Sequence, residues 1–456
     1  MKAINPSNME ILNTYKTHSD QQVSQILDQV STSATQWRTV PISSRAILMH
    51  KVASILREER SDLGRLITLE MGKPITESIA EVEKCAWVCE YYADHAASFL
   101  QDEFFESDGS QAFASFEPLG TVLAVMPWNF PFWQVFRFAA PGLMAGNAAV
   151  LKHASNVPGC ALKIEELFQK AGFPENLFRT LLIPSSAVEA VISDDRVHAV
   201  TLTGSEWAGA SVAAAAGKAI KKTVLELGGS DPYIVLEDAD LVACAATAVT
   251  ARMMNGGQSC IAAKRFLVVE SVFDAFVERV KSLIENLCVA DPLLESTQMG
   301  PLARPDLRDE LHELVQGSVT MGARCLVGGR SVPHTACYYE PTLMVDVTRD
   351  MPVFQKETFG PVMPVFKVKN EEEAIRLANE SEFGLGGSVW TRDLERGIRV
   401  ARQVQSGAMF VNGMTKSDPR LPFGGIGKSG YGRELSYYGI KEFVNIKTIW
   451  VGASQP

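Results

Sequence analysis

One cysteine stands where a thiol could act as a nucleophile. Cys260 lies within Asn255-Gly256-Gly257-Gln258-Ser259-Cys260-Ile261-Ala262-Ala263-Lys264-Arg265, behind two glycines that let the backbone turn and approach a bound group closely. A helical pattern of small residues at 238–253 precedes this stretch, and a strand at 266–269 follows it. A thiol at such a junction is placed for covalent catalysis. Free cysteine is also among the most buried side chains, and the chain has seven others. Taken alone, Cys260 reads more readily as an inert core thiol than as a nucleophile.

Four further groups fall at the carboxyl ends of expected strands, the edge of an open α/β sheet where ligands bind. Pro127-Trp128-Asn129-Phe130-Pro131 follows a strand at 121–126, and Lys152-His153-Ala154-Ser155 ends one at 148–152. Thr203-Gly204-Ser205 closes a strand at 199–203 and opens a helix, while Glu226-Leu227-Gly228-Gly229 ends one at 223–227. Asn129 could equally be a turn residue, and Glu226 a solvated or ion-paired carboxylate. An apolar helix from Pro131 carries one cation, Arg137, for which an internal ion pair is the alternative to ligand binding.

The elements that must position these residues can be read from periodicity. Residues 21–100 form successive amphipathic helices; Val23, Ile26, Leu27 and Val30, for example, share one face. Residues 102–118 break the pattern and suggest a hairpin around Asp108-Gly109. Its content of Phe104, Phe105, Phe113 and Phe116 suits an assembly surface. From Gly120 short apolar strands alternate with helices; a further strand is expected at 180–183, and a second alternating series covers 232–411. Segment 442–451 could add a strand to another sheet. The expected fold is α/β, with two open, doubly wound parallel sheets.

Whole-chain properties narrow the function. The 456 residues exceed one ordinary core, and 46% apolar with 21% charged is the balance of a soluble globular protein. A net charge of -10 and a pI near 5.4 argue against nucleic acid or an anionic membrane as partner. An anionic substrate would then need a dedicated local cation. Cysteines at 85, 89, 160, 244, 260, 288, 325 and 337 give neither a CxxC pair nor a secreted disulfide framework. With seven dispersed histidines, no metal site is expected. No signal peptide or spanning segment is evident, and a reducing cytoplasm is the expected compartment.

Taken in order, these motifs resemble the aldehyde dehydrogenase superfamily: the Pro127–Pro131 motif, a strand-end Lys152, Thr203-Gly204-Ser205, Glu226-Leu227-Gly228-Gly229 and the Gln258–Cys260 turn. Glu357-Thr358-Phe359-Gly360-Pro361-Val362, Asn412-Gly413 and Pro422-Phe423-Gly424-Gly425 complete the series. The resemblance implies a cofactor-binding domain at 1–105 and 120–226, a catalytic domain at 227–408, and an active-site loop at 409–435 returning to the first domain. An oligomerisation element would combine 106–119 with 436–456, in a dimer or tetramer. Gly425-Ile426-Gly427-Lys428-Ser429-Gly430 mimics a dinucleotide fingerprint, but it follows a loop and not a strand, so it is discounted.

The same resemblance assigns roles. Cys260 becomes the nucleophile, Glu226 the general base against a thioester, and Asn129 an oxyanion donor beside the Cys260 N–H. Trp128, Lys152, Ser155, Gly204, Ser205, Leu227, Gly228, Glu357 and Phe359 become cofactor contacts. Many relatives that use NAD carry Glu where this chain has Ser155; serine can donate to a 2′-phosphate, so NADP is expected to be preferred, with NAD also used. Dehydrogenases for succinate semialdehyde resemble the chain most closely. They imply Arg137, Trp133 and Ser417 as substrate contacts, although Met253 replaces an arginine that some of them carry. Another short aldehyde, such as glutarate semialdehyde or an aliphatic or aromatic one, and a catalytically silent structural protein on the same fold, are the alternatives.

Overall fold

Two open sheets hold most of the strands in the computed structural model, which describes residues 1–332 and 337–452. The first has six strands in the order Gly430–Tyr431, Lys222–Glu226, Ala199–Thr203, Thr121–Met126, Ala148–His153 and Phe178–Thr180. All pair in parallel except Gly430–Tyr431, which joins its neighbour antiparallel. The central strands are buried almost throughout, as expected for a parallel sheet covered on both faces. The chain leaves Thr121–Met126 toward one edge and returns on its other side with Ala199–Thr203. The strand order therefore reverses between these two, and their carboxyl ends open onto a natural ligand crevice.

The second sheet has seven strands: Arg324–Val327, Thr342–Val345, Val362–Val368, Ala263–Val269, Asp231–Val235, Ser388–Trp390 and Phe410–Val411. Only the Arg324–Val327 edge strand is antiparallel. Its side chains divide by the two-residue period of a strand. Ile234, Leu267, Met344 and Phe366 enter one core, while Tyr233, Phe266, Leu343 and Val365 enter the other. A third core joins the N-terminal helices to the first sheet.

A three-stranded antiparallel sheet lies apart, built from Val444–Val451, Gln111–Pro118 and Glu103–Phe104. The hairpin thus begins at Glu103, before residue 106, and Val444–Val451 forms a long outer edge. Phe410–Val411 continues the second sheet beyond residue 408. One expected strand shifts: 178–180 enters the sheet in place of 180–183. Leu181 makes the last ladder bond to Leu151 O (2.7 Å), and the Leu182 N–H turns to His18 Nδ1 (3.3 Å).

Helix Ile75–Phe99 matters most for the site. At 25 residues it packs against Ile42–Glu58, Arg60–Met71 and Trp133–Met144. One of its faces therefore looks across the carboxyl ends of the first sheet.

Candidate active site

The turn before Cys260 is left-handed for three residues, with φ of 56° at Asn255, 61° at Gly256 and 71° at Gly257. Only glycine, and less readily asparagine, adopts this conformation cheaply. At Gly257 a side chain would also collide, since a Cβ there would lie 2.2 Å from the Gly360 carbonyl oxygen. Lys264, almost fully buried, gathers the backbone beyond the turn. Its Nζ donates to the carbonyls of Cys260 (2.7 Å) and Ser259 (2.9 Å) and pairs with Glu357 (3.1 Å). The Cys260 thiol is half-buried and lines a cavity. Burial pushes it up to about 12, against the pull of the Arg137 and Lys264 cations.

Asn129 reaches this turn from the first sheet. Its Nδ2 donates to Gln258 O (3.1 Å), and its own carbonyl accepts from Asn255 Nδ2 (2.8 Å). A primary amide has two N–H bonds, so one is left for an oxyanion beside Cys260. The loop carrying Asn129 is fixed from two sides. Glu81 Oε1 accepts the N–H groups of Phe132 (2.8 Å) and Trp133 (2.9 Å), while its other oxygen pairs with buried Lys73. His153 Nδ1 accepts from the Ala154 N–H (2.9 Å), so its Nε2–H donates to Pro131 O (2.8 Å). Burial pulls His153 down to about 4 and keeps it neutral.

Glu226 ends its strand fully buried, and neither carboxylate oxygen has a hydrogen-bond partner among the described residues. Burial first, then the nearby Glu434 carboxylate, pushes it well above the carboxylate range; Arg137 and Arg433 oppose this. A carboxyl kept in this state suits proton transfer near neutral pH. Glu226 and Asn129 do not line the cavity that Cys260 lines; Asn129 meets the cysteine turn at Gln258 O, and Glu226 is close enough for its charge to act on the thiol.

The expected cofactor residues converge on the carboxyl ends of the first sheet. Lys152 is 7% exposed yet makes no ion pair among the described residues; its Nζ reaches only Ser185 Oγ (3.3 Å). Such a cation calls for an anion. Ser155 is exposed, and Ser205 is the N-cap of helix Glu206–Lys218, whose free N–H groups favour phosphate. Gly204 precedes it, half-buried. Gly228 forms a cradle: a Cβ there would stand 2.4 Å from Glu357 Oε2. Glu357 also accepts the Gly229 N–H (3.1 Å). Leu227 packs in the core, and Trp128 meets Phe359 edge to face at 5.9 Å. A phosphate-bearing dinucleotide fits this arrangement. Arg252 secures the Glu357–Phe359 segment by donating to the Thr358 (2.7 Å) and Gly360 carbonyls.

On the other side of Cys260 the cavity encloses about 570 Å³. Trp133, Arg137, Ser417 and Met253 all line it. Arg137 is committed internally as well: it pairs with Glu434, donates to Thr203 Oγ1 (3.2 Å) and lies 4.8 Å from the Phe423 ring centre. The ion-pair alternative is therefore realised without removing Arg137 from the cavity wall. Ser417 is buried and accepts from Lys84 Nζ (2.8 Å), whose ammonium also stands 4.2 Å from the Trp133 ring. Lys84 had no place in the sequence reading. Thr76, Glu77, Ala80, Glu81 and Lys84 all line the cavity, and this helical spacing on one face of an apolar helix was the available signal.

Comparison with known proteins agrees with this geometry. The model of the family described as "Aldehyde dehydrogenase family" matches residues 1–449. A Synechocystis protein named "Probable succinate-semialdehyde dehydrogenase (NADP+)" is 53% identical over 448 residues, covering 98% of this chain and 99% of that one. A Mycobacterium ulcerans protein named "Succinate-semialdehyde dehydrogenase (NADP+) 1" is 48% identical over 452 residues, covering 98% and 99%. The crystal structure of succinic semialdehyde dehydrogenase from Streptococcus pyogenes, in complex with NADP+, superposes with a TM-score of 0.97 at 39% identity, covering 99% of both chains. The family model and these relatives span nearly the whole chain, which belongs to the aldehyde dehydrogenase family.

Proposed function

We propose that the enzyme oxidises succinate semialdehyde to succinate, with NADP+ as preferred cofactor and NAD+ also used. The observation that carries this reading is the cavity, where Cys260 shares one wall system with Arg137, Lys84 and Ser417. A nucleophile and cations in one cavity suit an aldehyde with a carboxylate at its far end.

The Cys260 thiolate adds to the aldehyde carbon, and the carbonyl electron pair moves to oxygen. Asn129 Nδ2 and the Cys260 N–H stabilise that oxyanion, an effect worth about 10²–10³ in rate per donor. Lys152, Ser155, Ser205 and Glu357, with Trp128 and Phe359, would hold the nicotinamide cofactor, which when bound would supply the acceptor for the hydride that leaves the former aldehyde carbon. Oxidation leaves a thioester on Cys260. Glu226 takes a proton from water as the water oxygen bonds to the acyl carbon. The C–S bond then breaks, releasing the carboxylic acid product and the thiolate.

Two observations support the cofactor preference: Ser155 brings no carboxylate to repel a 2′-phosphate, and Lys152, three residues before it, makes no ion pair among the described residues. The test is kcat/KM for succinate semialdehyde, glutarate semialdehyde and butanal with each cofactor. Higher values for succinate semialdehyde and NADP+ are expected; a preference for NAD+ or for butanal would overturn the corresponding half.

Self-association belongs to the same reading. Phe104 and Phe105, 65% and 58% exposed, and the Val444–Val451 edge with Ile446 at 62% form an apolar surface that a second copy would cover. Sedimentation as a monomer at micromolar concentration would contradict it. Among the described residues no helix is long and apolar enough to cross a membrane. The acidic charge and dispersed cysteines support a cytoplasmic setting, which fractionation of the source cells would test.

A further inference from the structure

The reading above counts Lys84 among the cavity's cations without giving it a separate role. We propose that Lys84 is the principal anchor for the distal carboxylate of the substrate, with Ser417 as its hydrogen-bonding neighbour. This rests on the substrate reading under Proposed function and adds to it a residue that determines specificity.

The argument is one of charge compensation. Arg137 is already paired with Glu434, Lys73 with Glu81, and Lys264 with Glu357 and three backbone carbonyls. Lys416 also lines the cavity, but it is exposed and solvated. Lys84 is different: it is half-buried, lines the cavity, and has no carboxylate within ion-pair distance among the described residues. Among the described residues its close partners are the Ser417 hydroxyl and the Trp133 ring face. An ammonium held away from bulk water and left unpaired is costly. A carboxylate entering the cavity would remove that cost, and Ser417 could turn its hydroxyl to donate to the same carboxylate. Burial and the Arg137 cation pull Lys84 down to about 8; Cys85 and Glu81 on its own helix and Asp418 on the facing loop oppose the shift. Its charge in the free enzyme is therefore lost as the pH rises through about 8.

The experiment compares wild type, Lys84→Met, Lys84→Arg and, as a surface control away from the cavity, Lys369→Met. One readout is the ratio of kcat/KM for succinate semialdehyde to that for butanal, its uncharged four-carbon counterpart; the other is inhibition of butanal oxidation by succinate. Lys84→Met should lower the ratio at least tenfold through KM and weaken succinate inhibition at least tenfold. Lys84→Arg should restore most of both, and Lys369→Met should change the ratio less than threefold. In wild type the ratio should fall above pH 8, a fall that Lys84→Arg abolishes. Wild type that prefers butanal would overturn the substrate reading. If succinate then still inhibits wild type at least tenfold more tightly than Lys84→Met, the carboxylate site stands. If succinate inhibits the two equally, or Lys84→Met lowers both substrates alike, the assignment of Lys84 fails.

Discussion

The thiol of Cys260 is the residue on which the chemistry turns, and its surroundings hold it back in the free enzyme. Apolar walls raise it to about 12, while Arg137 and Lys264 lower it too little to compensate. Below that value the thiolate fraction grows about tenfold for each pH unit. The rate of iodoacetamide modification at Cys260, followed by mass spectrometry of its peptide, should therefore climb about tenfold per unit from pH 7 to 9 without levelling. A plateau near pH 8 would show an activated thiolate already present. Glu226 follows the same logic with the opposite chemistry: burial first, then the neighbouring Glu434 carboxylate, pushes it well above the usual carboxylate range, so burial biases both groups toward their neutral forms. At this scale the sequence was informative where a residue type is demanded by backbone geometry or by a strand end. Gly256 and Gly257 announced the turn, and Asn129, Glu226 and Ser205 stood at strand ends. The Arg137–Glu434 pair was not legible, because the two are far apart in the chain and neither has a local signature.

Among the elements, helix Ile75–Phe99 organises the site although no motif marks it. Glu77 accepts the Asn255 N–H (2.8 Å) and so holds the cysteine turn, and Glu81 holds the Asn129 loop. Lys84, one turn on, reaches into the cavity. Three charges at this spacing on a helix ordinarily describe a solvated face, and the apolar content of the rest of the helix was the one signal that this face is covered. The covering elements, Trp133–Met144 and the loop at 415–418, come from much later in the chain. Removing one partner of a buried pair costs about 3–5 kcal/mol, whereas Glu83, 39% exposed and paired with Arg57, is worth about 0–1 kcal/mol. Glu81→Ala should thus speed hydrogen exchange at the amides of Phe132 and Trp133 by at least tenfold, and Glu83→Ala should leave them nearly unchanged. Equal exchange in the two variants would return Glu81 to an ordinary core residue.

Across the whole molecule, the carboxyl edge of the first doubly wound sheet meets the amino edge of the second around one turn. The α/β alternation and the strand order that makes the crevice follow from short apolar strands with helices between them. Boundaries were less legible: 178–180 displaced the expected 180–183 because the ladder to Ala148–His153 ends at Leu181. The overall charge of -10 sets the problem for an anionic substrate, and the cavity answers it locally with Arg137 and Lys84. The central claim joins substrate, nucleophile and base, and one pre-steady-state measurement addresses all three. Glu226→Gln enzyme is mixed with succinate semialdehyde and NADP+, and NADPH formation is followed before the peptide carrying Cys260 is weighed. We expect a burst of NADPH equal to the active sites, little further turnover, and one succinyl group on the Cys260 peptide. Continued turnover at the wild-type rate, or an unmodified Cys260 after the burst, would contradict the account.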